Sequence, residues 1–253
     1  MHKMKLRYWS KVVLLCLGAW LAVYAMLPWA INGQSQSRAV RGQPVAGETD
    51  AERFDLKIRD EMFAGFRGDK AALARAMKIC EDKLARDPKH PEALVWHGSG
   101  LLFQAGEHFN RRESAQGVAK WTQGLREMDE AVALKPDDVG TRVPRGATLI
   151  PVSDFVPDAN EKKRLLERGV SDYEKTLDLQ KDYFAQLSTH ARAELLFGLA
   201  GGYARLGNAE KARHYFERLL QDAKDSGHEH QAEAYLTSGT VPKSMQCVGC
   251  HSR

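Results

Sequence analysis

The chain has 253 residues, enough for one sizeable domain with extra segments, and its 43% hydrophobic and 28% charged residues are those of a globular protein. Its net charge of +4 is scattered through amphipathic segments and forms no basic, aromatic-interleaved patch, which excludes nucleic acid from the expected partners. Four cysteines are too few for a disulfide scaffold.

The chain opens with a basic leader, His2-Lys3-Met4-Lys5-Leu6-Arg7 and Lys11, and then runs uncharged from Val12 to Ile31. A bilayer-spanning helix needs about 20 apolar residues, so this length predicts an uncleaved membrane anchor with Trp20, Tyr24 and Trp29 as interface aromatics. Val23-Tyr24-Ala25 offers the alternative, a cleaved signal peptide that would leave the protein free outside the membrane. Cys16 follows Leu15, not the small residue that a lipid-attachment cysteine requires. Because the positive charges precede the apolar run, the positive-inside rule puts residues 32–253 outside the cytoplasm, anchored to the inner membrane. Residues 32–54 lack apolar periodicity and carry Gln, Ser, Gly and Pro, which predicts a flexible linker.

Residues 55–236 alternate amphipathic helical patterns with short breaks and contain no run of alternating β-branched residues, so the expected fold class is all-α. The clearest unit has large apolar residues at Leu196, Leu199 and Tyr203, a small one at Ala200, a turn at Gly207-Asn208, and Ala212, Phe216 and Leu219 beyond it. Small residues let two helices approach while the bulky ones interdigitate. This unit resembles a tetratricopeptide repeat. Two more units end in the same closing pattern, Ala85-Arg86-Asp87-Pro88 and Ala133-Leu134-Lys135-Pro136. Their second helices carry Ala72, Ala76, Cys80 and Leu84 in one and Trp121, Leu125, Met128 and Val132 in the other.

Pro88 and Pro136 stand farther apart than the roughly 34-residue period of the repeat. The extra residues fall around Glu107 to Gly117, as lengthened helices or an inserted loop. A third unit has Leu165, Leu166, Gly169, Tyr173 and Leu177 in its second helix. Its first helix is interrupted by Pro144, Pro151 and Pro157, so Arg142 to Asn160 is expected to be an irregular loop, either functional or a degenerate repeat. Gln231 to Leu236 is expected as a short capping helix. The resemblance implies a solenoid of helical hairpins that binds protein partners and does no catalysis. Cys80 then takes a core position, and Trp96, Trp121, Tyr173 and Tyr183 are packing residues.

The chain ends in Cys247-Val248-Gly249-Cys250-His251-Ser252-Arg253. Two thiols two residues apart with an adjacent imidazole are the C-x-x-C-H arrangement that attaches c-type haem. The spacing presents both sulfurs to the two vinyl groups, and His251 becomes the proximal iron ligand. A zinc site would need a second ligand pair, for which only His228 and His230 are near. The same two histidines are candidates for the distal iron ligand. The nearer Met245 enters along the thioether edge and cannot easily reach the opposite face of the ring.

Residues 237–253 thus form a haem-attachment tail that resembles the motif of a cytochrome c without the domain that normally follows it. The combined expectation is a membrane-anchored, extracytoplasmic monohaem cytochrome carrying one covalent haem c. Its tetratricopeptide-like scaffold would dock it to subunits of a membrane redox complex. No catalytic residue is assigned. An alternative reading is a binding module in envelope or cytochrome assembly, with Cys247 and Cys250 as a redox pair and no stable haem.

Overall fold

The computed structural model describes residues 53–241, and every regular element among them is helical. The apolar stretch of residues 12–31 and the terminal Cys247, Cys250 and His251 lie outside the described residues. The described helices are α1 (Phe54–Phe66), α2 (Lys70–Arg86), α3 (Pro91–Asn110), α4 (Ser114–Leu134), α5 (Val139–Val152), α6 (Ala159–Gln180), α7 (Thr189–Arg205), α8 (Ala209–Asp222) and α9 (Glu229–Ser238). Short 3-10 turns at Ser153–Phe155 and Lys181–Gln186 follow α5 and α6.

Local chemistry sets most of the helix starts. Asp69, Asp158, Ser188 and Asn208 each accept a hydrogen bond from a first-turn amide of the helix that follows, satisfying a donor with no intrahelical partner. His90 caps α3 in the same way, with Pro91 in the first helical position. Gly68 and Gly207, at φ of +109° and +77°, turn the chain between paired helices where a side chain would be strained.

Consecutive helices pair as four hairpins, α1–α2, α3–α4, α5–α6 and α7–α8, and α9 closes the far end against α8. The first helices stack in sequence, α1 on α3, α3 on α5 and α5 on α7. Glycines allow the closest approaches. A Cβ at Gly98 of α3 would sit 2.7 Å from the Gly124 carbonyl oxygen of α4. One at Gly198 of α7 would sit 2.5 Å from the Tyr173 ring of α6. The extra residues of the second unit are lengthened helices, since α3 has 20 residues and α4 has 21.

Two apolar clusters form the core. The first gathers residues of α1 to α4, including Ile58, Met62, Trp96, Leu102 and Met128, and the second gathers α6 to α9 around Tyr173, Leu196, Leu199 and Phe216. Helix α5 joins them, with Leu149 in the first and Ile150 in the second.

That placement corrects the expectation of an irregular loop over Arg142 to Asn160. The segment is helical through Val152 although Pro144 and Pro151 lie inside it. An internal proline costs a helix about 3 kcal/mol by removing one N–H and crowding the carbonyl four residues back. Here α5 is flanked on both sides by core, and a helix apolar on opposite faces is stabilised by burial and not by propensity. Arg142 and Arg145 add ion pairs to Asp172 of α6, at 2.8 and 2.7 Å, and the Asp172 side chain is 0% exposed.

Candidate functional site

The last hairpin and α9 position the two histidines singled out in the sequence. Between α8 and α9 the chain turns through Asp225 and Gly227, both at positive φ. The Glu229 carboxylate fastens the turn by accepting from the backbone N–H groups of Ser226 (2.8 Å) and Gly227 (2.9 Å) and from the Ser226 hydroxyl. Burial pushes the Glu229 carboxyl up, but its own backbone N–H together with these donors outweighs that and holds its pKa below the usual value.

His228 sits at the N-terminal cap of α9 and is buried, with 9% exposure. Its ring stacks on Phe197 of α7 at 4.4 Å between centroids. Burial lowers the His228 pKa, and the neighbouring His190 lowers it further, against smaller opposing effects of Glu229 and Glu194. Both lowering effects disfavour the charged imidazole. His190, Glu194 and Phe197 stand four and three residues apart on α7 and so share the face turned to His228. His230, two residues on, is exposed in the first turn of α9. The helix runs through Ser238, past the expected end at Leu236, and takes in the first two residues of the 237–253 tail. Gly239, left-handed at φ +66°, ends it, and Val241 packs against the second core cluster.

The other candidates among the described residues are structural. Cys80 is fully buried on α2, and burial first, then the nearby Glu127 and Glu81, push its thiol up to about 12, so it stays protonated and unreactive. Beside it the His97 ring nitrogen Nδ1 lies 2.6 Å from the buried Glu127 carboxylate, a contact joining α3 to α4. Trp96 and Tyr173 are core residues, while Trp121 and Tyr183 are half-buried.

A slot between α5, α6 and α7, lined by Ile150, Pro151, Tyr173 and Phe197, has about 10 Å³ of free volume, room for one water at most and far too little for a porphyrin. A charged depression of about 330 Å³ bears Arg145, Arg164, Arg168 and Glu167. Its arginines already face Asp172, Asp129 and Glu161, so it offers no free positive charge. No protein-family model, curated protein or solved structure matches the chain.

Among the described residues no group of three or more His, Cys, Asp or Glu side chains is arranged to hold a metal ion, and no helix is long and apolar enough to cross a membrane. The structure does not bring His228 and His230 together on one ligand. One faces the core and the other faces solvent. The spacing of His190, Glu194 and Phe197 is the sequence signal for this contact, since it marks a single face of α7.

Proposed function

We propose that this chain is an extracytoplasmic monohaem c-type cytochrome, carried on a scaffold similar to a tetratricopeptide solenoid and tethered to the inner membrane by residues 12–31. The observation that carries the reading is the C-x-x-C-H sequence Cys247 to His251, in a chain that begins with an export segment. Covalent haem attachment takes place outside the bacterial cytoplasm, so the two features support each other.

The stacking of four hairpins through their first helices supports the repeat-like scaffold, because units of that kind bury their core only against neighbours. The haem would supply one-electron chemistry. Cys247 and Cys250 would hold it and His251 would ligate the iron. The proposed place of the haem is in a redox subunit docked through the helical scaffold to a membrane complex.

The test is to export the full chain in a host competent for cytochrome maturation and to look for a haem spectrum retained after denaturation and reduction. Retained haem supports the cytochrome. Loss of all haem rejects it in favour of an assembly module whose Cys247 and Cys250 act as a dithiol.

A further inference from the structure

We propose that the scaffold is hinged at α5, with Asp129 as an ionic latch that sets how far its two halves open, whatever the tail carries. The apolar core is divided here: the first cluster is built mainly from α1 to α4 and the second from α6 to α9, and α5 borders both. Helix α5 moves with the second half. It is paired along α6 as a hairpin, and its Arg142 and Arg145 bind the buried Asp172 carboxylate of α6. The joint therefore lies between the α3–α4 hairpin and the α5–α6 hairpin.

On the side of the first helices the joint is packed. Helix α3 lies against α5, Leu149 and Leu165 reach the first cluster, and the Thr148 hydroxyl stands 2.9 Å from that of Ser99. On the side of the second helices, α4 and α6 scarcely approach each other. Charge spans that side. The Asp129 carboxylate of α4 accepts from Arg145 at 3.0 Å and from Arg168 of α6, and Lys175 of α6 meets Asp137 of the α4–α5 turn at 2.8 Å. The depression of about 330 Å³ bears the same Arg145 and Arg168, so the space beside this bridge is open where a continuous core would be packed.

Packing on one side and exposed ion pairs on the other make a hinge. Interdigitated side chains hold one arrangement, whereas ion pairs of exposed carboxylates are weak and screened by salt. The Asp129 side chain is 49% exposed and that of Asp137 is 69% exposed. Releasing them lets α5 to α9 swing about the α3–α5 contact with little loss of buried apolar surface. Pro144 and Pro151 each remove a hydrogen bond from α5 itself, which eases bending at the pivot. Opening changes the curvature that the scaffold offers, and a protein partner that touches both halves selects one curvature.

The experiment uses the full chain. Spin labels are attached to an unnatural ketone side chain in place of the exposed Ala74 of α2 and Glu217 of α8, which leaves the cysteines unlabelled. Double electron–electron resonance then reads the distance between these two second helices in wild type, in Asp129→Asn and in Asp82→Asn, a control that removes an exposed ion pair within α2. The expected result is a longer and broader distance distribution in Asp129→Asn with helicity unchanged, and the same shift in wild type as sodium chloride is raised. Asp82→Asn at low salt should match wild type. Distances in Asp129→Asn that superimpose on wild type, or wild-type distances that do not respond to salt, overturn the proposal. An equal shift in Asp82→Asn overturns it too, because loss of any surface charge would then suffice. If Asp129→Asn loses helicity, the salt series on wild type decides alone.

Discussion

Helices α5 and α7 hold equivalent places as the first helices of neighbouring hairpins, yet they are built in opposite ways. Helix α7 carries its instructions locally: a Ser188 cap, a run buried from Ala193 to Tyr203, and a Gly207-Asn208 turn into α8. Helix α5 has two internal prolines and is made helical by its surroundings, with one core cluster on each side and two arginines clamped on Asp172. Local sequence rules specify a helix when nothing competes with them. Between two cores, burial outweighs a proline penalty of about 3 kcal/mol.

The sharpest way to break this contrast is at Asp172. Asp172→Ala leaves Arg142 and Arg145 without their buried carboxylate. It should cost about 3 kcal/mol, the lower end of the range for a broken buried pair because both arginines keep some solvent. Chemical denaturation measures it, and a cost below about 1 kcal/mol would mean that the ion pairs do not hold α5 in place.

Next in size is the joint between the two hairpins. Gly198→Ala puts a methyl group 2.5 Å from the Tyr173 ring, which is enclosed and cannot yield cheaply, so destabilisation of about 1–3 kcal/mol is expected. A neutral result in a thermal melt would contradict the close packing of α7 on α6.

Pro144→Ala should act in the other direction. It restores an N–H to the Gly140 carbonyl and removes the ring clash, offset in part by greater freedom of the unfolded chain. The net gain should be about 1–2 kcal/mol, read as a higher denaturation midpoint. No comparable gain is available in α7.

The smallest effect is pH-dependent and belongs to the α7–α9 contact. The folded-state pKa of His228 is lowered, so between that value and the unfolded value near 6.5 the unfolded chain binds more protons. The stability contributed by the neutral, stacked ring is complete above about pH 6.5 and declines as pH falls through the unfolded value towards the depressed folded one. His228→Asn should flatten this dependence. An unchanged slope would show that the ring is not the group responsible.

The all-α class, the pairing of α7 with α8 and the core place of Cys80 were legible in the sequence because each depends on apolar spacing and turn residues close in the chain. The helicity of α5 was not, since it rests on the two flanking cores and on Asp172, thirty residues from Arg142 and on another helix. The split between His228 and His230 was equally hidden. It depends on α9 beginning at Glu229, which turns one imidazole onto Phe197 and leaves the other exposed.

The central claim concerns the tail that this scaffold carries, and the mass of the intact chain exported from a cytochrome-maturing host tests it most directly. The account predicts a single covalent haem on the wild type and none on a Cys247→Ala, Cys250→Ala double variant that keeps its helical content. A wild type whose mass is that of the bare polypeptide would contradict it.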